Sequence, residues 1–152
     1  MNITNSTNSI DLPCQHSRRD GVGLPILVMD DEKMIRNIAS SMLKHLGYEV
    51  TTCATGEEAI ERYCNAKELG TPFLAVIMNL TIFGGMGGKD AAQQIIQIDP
   101  DARLIVSSGY SDDPVMADHK SFGFCLSLPK PYRIAGMAAV LATLQSSGIN
   151  DI

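Results

Sequence analysis

Short runs of consecutive apolar residues alternate along this chain with longer segments in which apolar residues recur every three or four positions. The short runs are typical of strands buried on both faces, and the longer spacing is typical of amphipathic helices. The pattern therefore predicts five strands and five helices in strict alternation. The predicted strands are 26–29, 48–53, 74–78, 102–106 and 124–128, and the predicted helices are 32–46, 55–69, 89–98, 111–123 and 132–145.

Local signals support several of the predicted helix ends. Gly47 can supply the left-handed residue that ends the first helix, and Thr55 with Glu58 forms a T-x-x-E capping box at the start of the second. The fourth helix has Pro114 in its first turn and few apolar anchors, so we expect it to be the least stable element. The residues predicted to face the sheet are Ile35, Ile38, Met42 and Leu46 in the first helix, Ala59, Ile60 and Tyr63 in the second, Ala92, Ile95 and Ile96 in the third, and Ile134, Met137, Leu141 and Leu144 in the last.

Strict alternation of strands and helices predicts an α/β fold. Right-handed crossovers between parallel strands place helices on both faces of one doubly wound sheet. The segment before the first strand, residues 1–24, is rich in Asn, Ser and Thr without periodicity, which predicts a flexible tail. We therefore expect one globular domain over residues 25–147 and a short C-terminal tail over 148–152.

Polar side chains stand where four of the predicted strands end. Asp30 and Asp31 follow the first strand, Asn79 ends the third, Ser108 follows the fourth and Lys130 follows the fifth. Because the carboxyl ends of parallel strands form the ligand crevice, these groups should converge on one pocket. Clustered acidic oxygens favour a hard divalent cation such as Mg²⁺, although one carboxylate could instead cap the next helix. The lysine ammonium could pair with either acid or with a phosphoryl group, or lie free on the surface.

Composition limits the class of protein. A chain of 152 residues with 45% hydrophobic residues suits one globular domain, and a net charge of −5 leaves no basic stripe for nucleic acid. No apolar run approaches the ~20 residues of a membrane span. The four cysteines form no CxxC pair, which predicts free thiols in a reducing cytoplasm.

Four motifs in order and spacing resemble the receiver domain of two-component response regulators. They are VMDDE at 28–32, VIMNLT at 76–81, VSSG at 106–109 and LPKPY at 128–132. The GGMGG loop and the KPY ending look most like receivers of hybrid sensor histidine kinases. The resemblance implies a flavodoxin-like (βα)5 sheet with strand order 2-1-3-4-5. It also implies a Mg²⁺-assisted transfer of a phosphoryl group from a kinase histidine to an aspartate that ends the third strand.

The resemblance gives each polar position an expected role. Two acids bind the metal together with the phosphoacceptor residue and one backbone carbonyl, a hydroxyl and a lysine contact the phosphoryl group, and a cis peptide bond follows the lysine. By position, these are Asp30, Asp31, Asn79 and the carbonyl of Thr81 for the metal, Ser108 and Lys130 for the phosphoryl group, and Pro131 for the cis bond.

This chain departs from the family pattern at three positions around that mechanism. Asn79 stands where the family has its phosphoacceptor aspartate, and an amide is neither an anionic nucleophile nor a good Mg²⁺ ligand. Phe83 replaces a common proline, and Ser127 lies at the position of the aromatic switch residue. We therefore expect no phosphorylation at residue 79, weak Mg²⁺ binding and no enzymatic activity.

Two functions remain open at this point. One is a phosphorelay receiver that is not phosphorylatable as written, either by natural loss or by an engineered substitution at Asn79. The other is a pseudo-receiver, which acts as a protein-interaction module without phosphate. The expected partners are a histidine kinase or a phosphotransfer domain.

A homodimer through the fourth helix, fifth strand and last helix is also predicted. That face should present an apolar patch over 114–122, which includes Val115, Met116 and Phe122, together with Tyr132 and Met137. The first helix around Met34 and Asn37 is the alternative interface.

Overall fold

The computed structural model describes residues 23–110 and 112–150, and these form a five-stranded parallel sheet flanked by helices. The strand order is β2-β1-β3-β4-β5, as expected for a flavodoxin-like doubly wound sheet. The predicted tail over 1–24 lies almost entirely outside the described residues. The strands are β1 Pro25–Met29, β2 Glu49–Cys53, β3 Ala75–Asn79, β4 Leu104–Ser108 and β5 Leu126–Pro129.

One helical segment follows each strand, so the predicted alternation is confirmed. The helices are α1 Lys33–His45, α2 Gly56–Glu68, α3 Gly88–Ile98, α4 Pro114–Ala117, which continues into a 3-10 turn over His119–Phe122, and α5 Ile134–Asn150. The last helix therefore runs past its predicted end at Gln145, and 148–150 are helical where we predicted a tail. Gly148 does not stop it, because a glycine inside a helix costs only about 1 kcal/mol relative to alanine.

The sheet separates two apolar layers. Alternate residues of each buried strand point to opposite faces, so Leu27 and Met78 pack against α2 and α3, whereas Ile26 and Ile77 pack against α1 and α5. All four side chains are fully buried, and each contributes roughly 1.5–3 kcal/mol by leaving water. This two-sided burial explains why the central strands are runs of apolar residues without alternation. No helix within 23–110 and 112–150 combines the length and apolar composition that crossing a membrane requires.

The first turn of α2 is capped as the sequence predicts. The Glu58 backbone N–H donates to Thr55 Oγ1 at 3.3 Å, and the Glu58 carboxylate accepts from the Ala54 N–H at 2.8 Å. On the inner side of the helix, Ala59 and Tyr63 are buried.

The inner face of α1 differs from the prediction. Ala39 and Leu43 are its buried residues, whereas Ile38 is exposed and Ile35 packs only in part against the core. The buried positions are thus shifted by one residue from the predicted Ile38 and Met42. The Arg36 guanidinium also donates to the Asp30 carbonyl oxygen at 2.8 Å, which ties this turn of the helix to the end of β1.

The predicted fourth helix is shorter than its sequence segment. The Asp113 carboxylate caps it by accepting from the Val115 N–H at 2.9 Å, and the following 3-10 turn ends at Gly123 with φ of +92°. Val115 and Met116 are both buried against the α2–α3 layer. The predicted apolar patch over 114–122 is therefore wrong, because the two large apolar side chains of this short helix pack into the core.

Candidate functional site

A polar cleft lies at the carboxyl ends of β1, β3, β4 and β5. Asp31, Asn79, Ser108 and Lys130 line it, and the exposed side chains of Phe83 and Tyr110 stand at its rim, with further lining from Glu32, Thr81 and Gly109. Asp30 lies beneath the cleft with 1% of its surface exposed. The structure thus brings together all of the polar groups that the sequence placed at strand ends.

Lys130 connects two strand ends across the cleft. Its Nζ lies 2.7 Å from Asp30 Oδ2 and 2.9 Å from Asn79 Oδ1. The side chains of the ion pair are 14% and 1% exposed, so the aspartate charge is neutralised almost entirely by this one ammonium. The backbone N–H of Lys130 donates to the Ser108 carbonyl at 3.0 Å, and the Lys130–Pro131 peptide bond is cis.

The side-chain amide of Asn79 is satisfied at both ends. Its Oδ1 accepts from Lys130, and its Nδ2 donates to the Thr81 carbonyl oxygen at 2.8 Å. The chemistry of the neighbours fixes this orientation, because an ammonium can only donate and a carbonyl oxygen can only accept. The amide therefore bridges the lysine and the Thr81 carbonyl, the backbone oxygen expected to bind a metal.

The acid pair is held in different ways. Asp30 Oδ1 accepts from the Glu32 N–H at 2.9 Å, and Asp31 Oδ2 accepts from the Phe83 N–H at 3.3 Å. Neither Asp31 nor Glu32 caps α1 through its side chain, although the sequence allowed that alternative: Glu32 occupies the cap position without a cap hydrogen bond. Both carboxylates remain directed toward the ends of the strands.

The glycine-rich loop after β3 is attached to the start of α2. The Gly56 N–H donates to the Met86 carbonyl at 2.7 Å, and the Met86 N–H donates to Glu57 Oε1 at 3.0 Å. This second bond holds the pKa of Glu57 below its usual range. A Cβ on Gly88 would lie 2.7 Å from the Asn79 carbonyl oxygen, so only glycine allows the loop to return this close to the strand end.

A buried hydroxyl pair beneath the cleft was not foreseen from the sequence. Ser107 Oγ and Tyr132 OH lie 2.7 Å apart, and Ser107 is the β4 neighbour of Asn79 in the sheet register. Burial raises the pKa of Tyr132 to about 12. No local pattern could reveal the pair, because its members are 25 residues apart. Ser127, at the expected aromatic-switch position, is half-buried on β5.

The residues present fit a magnesium ion only in part. Asp30, Asp31 and the Thr81 carbonyl offer oxygen ligands of the kind that Mg²⁺ prefers. However, Lys130 binds one Asp30 oxygen, and the Asn79 amide hydrogen-bonds the Thr81 carbonyl. In the described part of the chain, no three His, Cys, Asp or Glu side chains are grouped as a metal site. Asp30, Asp31 and the Thr81 carbonyl would hold the ion, and bound Mg²⁺ would supply positive charge beside a phosphoryl group.

Known proteins resemble this chain in sequence. The response regulator receiver domain family matches residues 26–142. Chemotaxis protein CheY of Thermotoga maritima is 33% identical over 113 residues, which cover 74% of this chain and 89% of that protein. Sensor kinase CckA of Brucella abortus is 30% identical over 120 residues, which cover 76% of this chain and 12% of that protein.

Solved structures share the fold. The receiver domain of sensor histidine kinase PA1611 from Pseudomonas aeruginosa, solved with a magnesium ion coordinated in its active-site cleft, superposes with a TM-score of 0.72 at 20% identity, covering 82% of this chain and 99% of that one. A CheY-like receiver domain protein of Methanospirillum hungatei gives 0.74 at 18% identity, covering 86% and 99%. At these identities the likeness concerns the fold.

Proposed function

This chain belongs to the response regulator receiver domain family, and from that membership we propose that it is a two-component receiver that takes no phosphoryl group at residue 79. Receiver domains interact with histidine kinases and phosphotransfer proteins and are not enzymes in the usual sense. We propose the same class of partner here. A cytoplasmic location is part of the proposal, supported by free thiols at Cys53, Cys64 and Cys125.

The hydrogen bonding of Asn79 carries this proposal. Attack on phosphorus needs an anionic oxygen, and the neutral amide oxygen of Asn79 is already held by Lys130 at 2.9 Å. The amide nitrogen is held by Thr81 at 2.8 Å. Both polar atoms of the Asn79 side chain are thus engaged in internal hydrogen bonds. The chain also has Asp30, Asp31 and Lys130, the residues that the resemblance assigns to the family's pocket.

A pseudo-receiver that works only by protein binding is the second candidate. The observation in its favour is that the Asn79 amide already holds the Thr81 carbonyl, an oxygen expected to bind a metal, and the Lys130 ammonium, the group expected to contact a phosphoryl group. In this form the signal would be the presence of the domain itself, rather than its phosphorylation.

The direct test is phosphorylation of the chain as it stands. We expect no phosphoryl incorporation after incubation with Mg²⁺ and acetyl phosphate, or with a phosphorylated histidine kinase, as measured by intact-mass spectrometry. Incorporation that peptide mapping placed at residue 79 would overturn the proposal, provided that the same peptide retained its amide before the reaction. Phosphoryl groups found only at other residues would be consistent with the proposal, because residue 79 would still take none.

Magnesium affinity gives a second prediction. The Asn79→Asp variant should bind Mg²⁺ at least about tenfold more tightly than the parent, because a third carboxylate joins Asp30 and Asp31. A charge ~4 Å away is worth roughly 4 kcal/mol at an effective dielectric of ~20 before hydration is subtracted, and 1.4 kcal/mol is already tenfold. Calorimetric titration would measure it, with Asn65→Asp on exposed α2 surface as the matched control. Equal affinities of parent and Asn79→Asp would place residue 79 outside the metal's ligands.

A further inference from the structure

Large exposed apolar side chains are concentrated at one end of the sheet. Phe83 and Tyr110 are 89% and 75% exposed in the loops after β3 and β4, and Met34 is 71% exposed at the start of α1. Two of the seven such residues in the described part of the chain, Leu69 and Ile98, lie instead at the C-terminal ends of α2 and α3. The other five form what we call the carboxyl-edge face: Met34, Ile38, Phe83, Tyr110 and Ile134.

The most exposed of these residues is presented on a fixed backbone. The Phe83 N–H donates to Asp31 Oδ2, and its loop is joined to α2 by the two hydrogen bonds that Met86 makes with Gly56 and Glu57. An aromatic side chain on an ordered backbone loses little conformational entropy on binding. Phe83 therefore has the properties of an interface anchor.

Charges of both signs lie on the same face. Asp31 and Glu32 line the cleft, and the exposed Lys33 and Arg133 are the sequence neighbours of Met34 and Ile134. In the ranges that the structure describes, the two ion pairs are Lys67–Asp99 and Lys130–Asp30. The four charges of the carboxyl-edge face thus form no ion pair within those ranges. The face therefore carries both acidic and basic side chains beside apolar ones, so a second copy of the same face is complementary to it in charge.

We propose that the carboxyl-edge face docks a second copy of this chain in a two-fold symmetric, head-to-head dimer. In an isologous interface each patch meets its own equivalent, so apolar residues meet apolar residues and the acids of one copy meet the bases of the other. Glu32 and Arg133 are exposed immediately before α1 and α5, so we assign Glu32 to face Arg133 of the second copy. Such a dimer covers the cleft and Asn79. It goes beyond the proposed function, because it depends on the rim of the cleft and not on the group at residue 79.

Sedimentation of the full chain over a range of concentrations tests the dimer. We expect a monomer–dimer equilibrium, weakened at least about tenfold by Phe83→Glu because that change places a charge at the anchor position. Leu69→Glu is the matched control, since Leu69 is 79% exposed but lies away from the carboxyl-edge face. It should leave the equilibrium unchanged. A parent chain that stays monomeric at its solubility limit would overturn the proposal, as would a dimer that Phe83→Glu leaves intact.

A charge exchange tests the pairing within that dimer. Glu32→Lys and Arg133→Glu should each weaken self-association, because each creates two like-charged contacts across the two-fold axis. An equimolar mixture of the two variants should associate as tightly as the parent, since every contact in the mixed dimer again joins opposite charges. A mixture that associates no better than either variant alone would overturn the assigned pairing. If both single variants dimerise like the parent, the dimer does not depend on this pairing and the proposed contact is wrong.

Discussion

Replacing Asn79 with aspartate should convert a protein that takes up no phosphoryl group into one that acetyl phosphate labels in the presence of Mg²⁺. The aspartate oxygen that replaces Nδ2 would face the Thr81 carbonyl, which the amide now contacts at 2.8 Å. Two acceptors at that distance repel each other, so the carboxylate favours a bound cation and turns toward the cleft. The carboxylate oxygen can then attack phosphorus, and acetate leaves with the bonding electron pair.

Labelling should rise from background to one phosphoryl group per chain. Intact-mass spectrometry would measure this increase. Asn65→Asp provides the control, because it makes the same chemical change on the exposed surface of α2 and should remain unlabelled. Adding Asp31→Asn to Asn79→Asp should lower the rate again, since it removes one proposed metal ligand. If Asn79→Asp binds Mg²⁺ but stays unlabelled, the departures at Phe83 or Ser127 have disabled the pocket independently.

Lys130→Met should be the most destabilising single substitution in the cleft. It removes the ammonium that contacts Asp30, whose side chain is 1% exposed, and leaves that buried side chain without its ion-pair partner. Removing one partner of a buried ion pair typically costs 3–5 kcal/mol. We expect about 3 kcal/mol, because the Glu32 N–H still donates to Asp30 Oδ1 and the 14% exposure of Lys130 admits some water.

Urea unfolding followed by circular dichroism would measure this free-energy change. Lys44→Met on exposed α1 surface is the matched control and should change stability by less than about 0.5 kcal/mol. Adding Asp30→Asn to Lys130→Met should recover much of the loss, since no buried charge then remains. A loss below about 1 kcal/mol for Lys130→Met alone would mean that solvent or a bound cation neutralises Asp30.

The order of elements was predictable because the three inner strands, β1, β3 and β4, are short apolar runs bounded by polar or turn-forming residues. Strands buried on both faces, such as Ala75–Asn79, leave a continuous apolar signal, and Thr55 with Glu58 marks a helix start locally. The sheet order required the family resemblance, since alternation alone predicts a parallel sheet but not which strand lies at its centre.

The convergence of polar groups was predictable from the rule that strand carboxyl ends share one edge. That rule predicts from the sequence alone that Asp30, Asn79, Ser108 and Lys130 lie close together. It could not determine hydrogen-bond partners, which depend on distances between residues far apart in sequence. The contact between Lys130 and Asn79 spans 51 residues, and the bond between Phe83 and Asp31 spans 52.

The main error of the sequence-based prediction was the exposed apolar patch on α4, whose apolar side chains are buried. Its segment contains Val115 and Met116 in succession, and we expected part of this apolar surface to be exposed. Consecutive residues of a helix lie about 100° apart, so both side chains can reach the same core, and here both do. The buried face of this helix depends on packing that local propensity does not define. The apolar surface lies at the carboxyl edge instead.

The interior position of β1 in the sheet also constrains how the chain emerges during synthesis. β1 pairs with β2 on one side and with β3 on the other, so its second edge is covered only after residues 75–79 have been made. β3 is then itself uncovered until β4 has left the ribosome, although it is buried on both faces in the finished sheet. While residues 80–104 emerge from the ribosome, the chain therefore exposes an apolar strand edge, which is the condition under which chaperones bind and aggregation begins.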